Sequence, residues 1–266
     1  MMPRTGVDYA DYNITVYREP CPYQCRYCWA WRLPLFKKRI GSGKYVPVDE
    51  ARKIAVKCSR GERVVVSFTS DPYPFREAWL NITRNVIFAL RSHGCPTIMI
   101  LTKNPVLALK DRDIMLAHIT GAKCYVETWL GTTITSADIY HKLSTIFEPH
   151  APRTDMRLRA LNEYAGQGGK VWISLEPIIP AYYFDLFPEN ILGKILDCLD
   201  PEKIALIVLG KLNYVKQIRK YLPMALLGEE EAKEFYREHI PIAIDLLKQY
   251  GIPYHIKKEL AKVIKE

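Results

Sequence analysis

Residues 21–28 read Cys-Pro-Tyr-Gln-Cys-Arg-Tyr-Cys, which places Cys21, Cys25 and Cys28 in a C-x3-C-x2-C arrangement. This loop follows the first apolar run that is typical of a strand, Asn13–Tyr17. Three thiolates on one short loop can converge on one metal centre, and iron–sulfur clusters are held by such thiolates, normally four for a cubane. Because only three cysteines are local here, a fourth iron would stay open to an external ligand.

Zinc is the alternative occupant of this loop. A structural zinc site with three cysteines takes one histidine as its fourth ligand. The nearest histidine in the sequence is His93, which is distant from the loop. The spacing therefore favours an iron–sulfur cluster, while zinc and three unrelated core cysteines stay open as alternatives.

Composition limits the class of protein. The chain has 266 residues, with 38 Lys and Arg against 29 Asp and Glu and a formal net charge of +9. A basic balance favours anionic partners such as nucleic acid, although it also serves solubility. The N-terminal residues lack the apolar core of a secretion signal, and no apolar run is long enough to span a membrane. We therefore expect a cytoplasmic protein without a membrane partner, whose seven cysteines are ligands or buried thiols.

Short runs rich in Val, Ile, Thr and aromatics alternate with helical patterns, which predicts parallel βαβ units in a single α/β domain. Six or seven repeats fit either a barrel-like sheet or an open doubly wound sheet. The predicted strands are Asn13–Tyr17, Arg63–Phe68, Thr97–Thr102, Cys124–Thr133, Val171–Glu176, Ile204–Leu209 and Pro253–Ile256. The predicted helices are Asp49–Val56 and Thr154–Ala165, with Asp49 and Thr154 as caps, and Arg76–Ser92, Pro105–His118 and Glu229–Tyr250.

The order of motifs resembles the radical SAM superfamily, and within it the spore photoproduct lyase-like group. An aromatic residue, Tyr27, directly precedes the third cysteine, as in the superfamily. Further similar segments follow in the same order up to about residue 180. They are Ser67-Phe68-Thr69-Ser70-Asp71-Pro72-Tyr73, Leu101-Thr102-Lys103, Thr133-Ile134-Thr135, Glu148-Pro149-His150-Ala151-Pro152 with Arg157, and Glu176-Pro177-Ile178-Ile179-Pro180.

The resemblance implies a partial (β/α)6 barrel over residues 1–210, with a C-terminal helical and strand extension over residues 211–266 packed on it. It also implies a [4Fe–4S] cluster and S-adenosylmethionine, whose amino and carboxylate groups chelate the unique iron. A reductant such as ferredoxin or flavodoxin would supply the electron that splits the sulfonium. The products are methionine and a 5′-deoxyadenosyl radical, which abstracts hydrogen from a substrate.

The resemblance also assigns roles to individual residues. Cys21, Cys25 and Cys28 become the cluster ligands. The backbone of Tyr27 would meet the adenine, while its ring shields the cluster.

Other residues would contact the methionine part and the ribose. Ser70 and Asp71 would meet the ammonium group of S-adenosylmethionine, unless they form a plain Asp-Pro turn. Lys103 would meet the carboxylate, with a solvated lysine as the alternative. Thr133 and Arg157 resemble the ribose-side and carboxylate-side contacts.

Glu176 departs from the small residue that the resemblance leads us to expect before Pro177. A carboxylate at this position would lie near the adenine or the substrate. Alternatively, it forms a salt bridge at the barrel rim.

Two further departures argue against the lyase reaction itself. Phe68 stands where the lyase carries a hydrogen-donating cysteine, and Trp29 stands where it carries a tyrosine. Neither ring donates a hydrogen atom as readily as a thiol. Cys124, on the predicted fourth strand, is the one thiol that strand geometry suggests as a replacement catalytic donor, although a buried small hydrophobic residue is the alternative.

Nucleic acid is our first expectation for the substrate, from the resemblance and the charge, and a peptide or small metabolite is the second. Two segments combine basic residues with nearby aromatics, which suits a nucleic-acid backbone and stacked bases, although a solvated face is the alternative. The rival hypothesis is a non-catalytic zinc- or iron–sulfur-bearing nucleic-acid-binding protein. The two segments are Lys37, Lys38, Arg39 and Lys44, and Tyr254–Lys258 with its continuation to Lys265.

Overall fold

The structure is a computed structural model that describes residues 7–30, 46–66, 70–94, 96–118, 125–138, 142–222 and 226–265. In this part of the chain, seven parallel strands form one curled sheet, and each strand pairs with the next in chain order. The strands are β1 (Tyr12–Ile14), β2 (Arg63–Val66), β3 (Thr97–Leu101), β4 (Thr128–Thr133), β5 (Lys170–Ile178), β6 (Ile204–Lys211) and β7 (Tyr254–Ile256).

This strand order decides between the two sheets that the sequence allows. A doubly wound sheet reverses its strand order at a switch point, whereas the order here runs from β1 to β7 without reversal. The predicted partial α/β barrel is therefore confirmed. Its seventh strand comes from the C-terminal extension and pairs with β6 from Ile207↔Tyr254 to Leu209↔Ile256. The division at residue 210 stays a prediction.

The fourth strand is shorter than the predicted segment Cys124–Thr133. Pairing with β3 starts at Ile98↔Thr128, and β3 itself begins only one residue earlier, at Thr97. β3 therefore provides almost no partner for residues before Thr128. Cys124 lies outside the described residues.

Helices cover the outer face of the sheet. Their bounds are α1 (Pro47–Lys57), α2 (Glu77–Leu80), α3 (Ile82–His93), α4 (Pro105–Ala108), α5 (Arg112–Leu116), α6 (Lys142–Phe147), α7 (Thr154–Gly166), α8 (Pro188–Leu196), α9 (Val215–Ile218), α10 (Glu229–Gln249) and α11 (Lys258–Lys265). Asp49 and Thr154 were expected as caps but lie inside the first turns of α1 and α7.

The prediction of one helix over Arg76–Ser92 is wrong, because Asn81 adopts a left-handed conformation with φ of 54° and separates α2 from α3. The buried carboxylate of Glu77 accepts hydrogen bonds from the backbone N–H groups of Ile82 (3.2 Å) and Thr83 (2.9 Å). It thereby caps the start of α3 from the preceding turn.

The prediction of one helix over Pro105–His118 is also wrong, because a 3-10 turn at Leu109–Asp111 separates α4 from α5. The buried Asp111 carboxylate accepts a hydrogen bond from the hydroxyl of Tyr73 (3.0 Å) and pairs with Arg84 (3.2 Å). These tertiary contacts outweigh the helical pattern at this point.

The inner face of the sheet is filled below the strand ends by a buried layer around Trp172. Its indole N–H donates to the carbonyl of Ile100 (3.0 Å), and the ring of Tyr9 packs 5.8 Å away. Gly131 lies opposite Trp172, and a Cβ there would come within 2.4 Å of the indole nitrogen. The absence of a side chain at Gly131 lets the indole fill the barrel interior.

Candidate cofactor site at the carboxyl ends of the strands

A cavity of about 560 Å³ opens above the Trp172 layer, where the strands end. It is lined by residues that follow or terminate β2 to β7 and by the cysteine loop. Of the residues predicted from the sequence, Arg157 does not line it. Those that do are Cys21, Cys25, Tyr27, Cys28, Ser70, Asp71, Lys103, Thr133 and Glu176.

The cysteine loop is fixed by its own backbone and by neighbouring segments. Gln24 has a φ of 46°, and the N–H of Cys28 donates to the carbonyl of Cys25 (3.0 Å), so the loop turns back on itself. The N–H of Arg26 donates to the carbonyl of Phe147 (2.7 Å) at the end of α6. These contacts hold all three thiols at one cavity.

The environment of Cys21 and Cys25 favours the protonated thiol. Burial, assisted by the negative charge of Asp71, raises the pKa of Cys21 to about 12, and burial also raises the pKa of Cys25. A metal centre held by these thiolates would displace the protons, and its positive charge would provide the compensation.

Among the described residues, no three His, Cys, Asp or Glu side chains are arranged to hold a single metal ion. A cubane differs from a single ion because each thiolate binds a different iron atom. Three separate thiols around one cavity therefore fit a cluster that leaves its fourth iron to another ligand.

Asp71 holds the ends of two strands together. Its carboxylate accepts hydrogen bonds from the hydroxyl of Thr102 (2.6 Å) and from the N–H groups of Lys103 (2.7 Å) and Tyr73 (2.8 Å). Burial nevertheless raises its pKa above the ordinary value. Ser70 beside it is buried as well. The predicted contact of both residues with an ammonium group stays a prediction.

Glu148 is the residue on which three predicted positions converge. Its carboxylate accepts hydrogen bonds from the Tyr27 hydroxyl and the Lys103 ammonium and forms an ion pair with Arg157. Arg157 also donates to the carbonyl of Thr133 (3.1 Å). Glu148 and Arg157 side chains are each 1% exposed, and that of Lys103 is 11% exposed. Lys103 is therefore not the solvated lysine that the sequence left open.

The electrostatics of this network favour an ionised Glu148. Burial opposes ionisation, but the charges of Arg157 and Lys103 and the hydrogen bonds from Lys103 and Tyr27 hold the pKa of Glu148 at about 2. Sequence reasoning quoted Glu148 within a motif without giving it a role. A Glu followed by a nearby Arg was the available signal, because a buried carboxylate needs a charged partner.

The opposite side of the cavity carries a second ion pair. Glu176, near the end of β5, accepts a hydrogen bond from the ammonium of Lys257 (2.6 Å), which directly follows β7. The sequence left a rim salt bridge open for Glu176, and this is the contact that it makes. Lys257 lines the cavity with its side chain 12% exposed. The expectation of a solvated face is therefore wrong for Lys257, while a contact of this residue with nucleic acid stays a prediction. Its position after a short strand could have indicated this.

An aromatic pair stands at the edge of the cavity. The rings of Trp29 and Tyr214 are 5.4 Å apart and tilted by 46°. Tyr214 is 46% exposed and has a φ of 56°, an uncommon conformation for a residue with a side chain. Sequence reasoning missed Tyr214, and no pattern in the sequence pointed to it.

Several sequence predictions fall on residues that the structure does not describe. Cys124 and Phe68 belong to this group, as do the basic residues Lys37, Lys38, Arg39 and Lys44. In the described residues, no helix is both long and apolar enough to cross a membrane.

Comparisons with known proteins add evidence on the fold. No protein-family model and no curated protein sequence matches the chain. Among solved structures, a spore photoproduct lyase variant with bound AdoMet and dinucleoside spore photoproduct aligns with a TM-score of 0.69 and 18% identity. Spore photoproduct lyase complexed with the dinucleoside photoproduct aligns with a TM-score of 0.68 and 19% identity. Each alignment covers 96% of this chain and 78% of the other. The chain therefore has the fold of spore photoproduct lyase, a radical SAM enzyme.

Proposed function

We propose that the protein is a radical SAM enzyme that acts on nucleic acid. The observation that carries this proposal is one cavity, at the strand ends of a spore photoproduct lyase fold, lined by Cys21, Cys25 and Cys28. Tyr27 and Lys103, which resemble cofactor contacts, line the same cavity. The low identity to the lyase leaves the reaction itself to be tested.

The chain's own residues would bind, orient and shield the cofactors. Cys21, Cys25 and Cys28 would hold a [4Fe–4S] cluster. Lys103, already oriented by Glu148, would share its ammonium with the carboxylate of S-adenosylmethionine. When bound and reduced, by a donor such as ferredoxin or flavodoxin, these cofactors supply a 5′-deoxyadenosyl radical that abstracts hydrogen from the substrate.

Charge and aromatic side chains support nucleic acid as the substrate. The net charge is +9, and the sequence from residue 211 to 222 contains basic but no acidic residues. Lys216 and Lys220 are exposed there, and the Trp29–Tyr214 pair stands at the cavity edge. Aromatic platforms flanked by lysines suit stacked bases on a charged backbone. The fold neighbour binds a dinucleoside photoproduct.

The test follows reductive cleavage of S-adenosylmethionine. Anaerobically reconstituted protein is reduced with dithionite, and 5′-deoxyadenosine and methionine are quantified by chromatography. The proposal expects slow formation of both in equal amounts, and none in the Cys21→Ala/Cys25→Ala/Cys28→Ala variant or without reductant.

Absence of 5′-deoxyadenosine from protein that carries a full complement of iron and sulfide would overturn the proposal. If such protein still binds single-stranded nucleic acid, the non-catalytic nucleic-acid-binding hypothesis replaces it. Zinc in place of iron in freshly isolated protein would point the same way.

A further inference from the structure

We propose that the Glu176–Lys257 ion pair recognises the edge of a nucleobase, an edge that presents an N–H donor beside a hydrogen-bond acceptor. The inference rests on the proposed function, because that function brings two nucleobase sources to the cavity. One is the adenine of S-adenosylmethionine, and the other is a base of the nucleic-acid substrate.

The Glu176–Lys257 pair joins two strands that are not neighbours in the sheet. Glu176 belongs to β5 and Lys257 follows β7, so their side chains meet across the intervening strand β6. At that crossing β6 carries Gly210, where a Cβ would lie 2.9 Å from Cγ of Glu176 and 3.1 Å from Cδ of Lys257. The glycine leaves the space in which the two side chains meet, and both line the cavity.

The backbone that carries Lys257 is held by hydrogen bonds. Its N–H donates to the carbonyl of Leu209 in β6 (2.9 Å), which continues the pairing of β7. The next N–H, of Lys258, donates to the carboxylate of Asp8 (2.8 Å). Lys257 is thus fixed between a strand and the start of α11, so the pair is in place before any ligand arrives.

Stability alone explains the Glu176–Lys257 pair poorly. Withdrawing charges from water opposes folding, and apolar replacements of buried ion pairs are often neutral or stabilising. The side chains of Glu176 and Lys257 are 25% and 12% exposed, and this exposure faces a cavity that they both line. A ligand in the cavity can therefore reach them.

The hydrogen-bonding groups of the pair match those of a nucleobase edge. The Glu176 carboxylate has two oxygens, and the Lys257 ammonium has three protons, while the ion pair joins one oxygen to one nitrogen. Side by side, they offer one acceptor and one donor, as the amide of Asn or Gln does when it binds adenine in a bidentate manner. Adenine presents its amino group beside a ring nitrogen, and thymine presents N3–H beside a carbonyl oxygen.

The experiment measures binding to reconstituted protein, independently of turnover. The first arm compares S-adenosylhomocysteine with its deaminated analogue S-inosylhomocysteine, in which a carbonyl replaces the amino group and the ring nitrogen gains a proton. The second arm measures oligothymidylate binding at saturating S-adenosylhomocysteine. The variants are Glu176→Gln, Lys257→Met and the charge swap Glu176→Lys/Lys257→Glu. Glu230→Gln, at an exposed ion pair with Lys233 (2.7 Å), is the matched control.

We expect the variants to change binding in one of the two arms. If the pair recognises the cofactor, Lys257→Met weakens S-adenosylhomocysteine binding by about ten- to hundredfold. The charge swap then shifts preference towards the inosine analogue. If the pair recognises the substrate, S-adenosylhomocysteine binding is unchanged and oligothymidylate binding falls by a similar factor. The Glu230→Gln control keeps wild-type affinity in both arms.

The inference is overturned if all three variants unfold at the wild-type temperature and bind every probe within about twofold of wild type. A purely structural pair predicts a different pattern, with lower thermal stability in the single variants and recovery in the charge swap without altered base preference. Normal nucleobase discrimination in protein that never cleaves S-adenosylmethionine would preserve this inference and contradict the proposed function, so the two fail separately.

Discussion

The two sides of the cavity are built differently. On the cysteine side, defined by the cysteine loop with Lys103, Glu148 and Arg157, charged groups are almost fully buried and joined in one network. On the distal side, defined by Glu176, Lys257 and Tyr214, the carboxylate is 25% exposed against 1% for Glu148, while Lys257 is buried to the same extent as Lys103. The contacts on this side are pairwise. The difference indicates that the first side is organised for a resident group of fixed shape, while the second can accept a ligand that comes and goes.

The largest expected effect is on iron binding by the cysteine side. The Cys21→Ala/Cys25→Ala/Cys28→Ala variant should retain almost no iron after reconstitution, whereas wild type should bind about four iron and four sulfide per chain. Iron and sulfide analysis and the visible absorbance of the cluster provide the measurement. The control is Cys58→Ala/Cys198→Ala, which removes two half-buried thiols outside the cavity lining. Unchanged iron in the triple variant would contradict the ligand assignment.

The next effect is on folding of the same side. Glu148→Ala leaves Lys103 and Arg157 buried without their carboxylate, so the free energy of unfolding should fall by about 3–5 kcal/mol. Glu148→Gln keeps an acceptor for Tyr27 and should lose less. Denaturant unfolding of the metal-free protein measures both. Equal stability of Glu148→Ala and wild type would show that the network does not organise this side.

The pH dependence sharpens this prediction. The pKa of Glu148 is depressed from 4.5 to about 2, so its ionisation stabilises the folded state above pH 4.5, and the contribution disappears as the pH falls towards 2. The difference in unfolding free energy between wild type and Glu148→Gln should therefore shrink across this window. A difference that is constant with pH would place the stabilisation in packing rather than charge. Taking the difference cancels the titration of Asp71, whose pKa moves in the opposite direction.

A smaller effect concerns the cofactor. Lys103→Ala should weaken binding of S-adenosylmethionine by roughly 1.5–3 kcal/mol, because it removes one charge-assisted hydrogen bond. Equilibrium dialysis on reconstituted protein measures the change. Lys170→Ala, at an exposed ion pair with Glu127, is the control. Tight, unaltered binding by Lys103→Ala would reduce Lys103 to a structural partner of Glu148.

The last prediction is the absence of a reaction, the repair of spore photoproduct. We expect no repair when dinucleoside spore photoproduct is incubated with reduced enzyme and S-adenosylmethionine. The sequence resemblance assigns Phe68 and Trp29 to the positions where the lyase carries a hydrogen-donating cysteine and a tyrosine. Chromatography for restored thymidine dinucleoside is the measurement. Efficient repair would show that the Phe68 assignment is wrong. If Cys124→Ala then abolished repair, the hydrogen donor would lie on another segment and the lyase function would be restored.

The cysteine side was largely predictable from sequence, because its residues lie within short contiguous motifs. Cys21, Cys25 and Cys28 are close in the chain, and Asp71 and Lys103 follow apolar runs that read as strands. Parallel strands bring such ends together at one edge of a sheet. For the network centred on Glu148, the sequence offered only a Glu followed by a nearby Arg, because Tyr27 and Lys103 reach Glu148 through tertiary packing.

Most of the distal side could not be predicted from the sequence. Its residues come from short elements, and β7 has only three residues. The interpretation of the C-terminal lysines as a solvated face used only the basic composition of that segment. Pairing of β7 with β6 instead brings Lys257 to the cavity. The helix break at Asn81 was not predicted for a similar reason. The Glu77 carboxylate that caps α3 belongs to the preceding short helix α2.

The most direct test of the account is the electron paramagnetic resonance spectrum of dithionite-reduced, reconstituted protein before and after addition of S-adenosylmethionine. We propose that three cysteines hold a [4Fe–4S] cluster and leave one iron to S-adenosylmethionine. The account predicts a cluster signal whose g-values change when S-adenosylmethionine is added. An identical spectrum with and without S-adenosylmethionine, from protein carrying a full cluster, would contradict it.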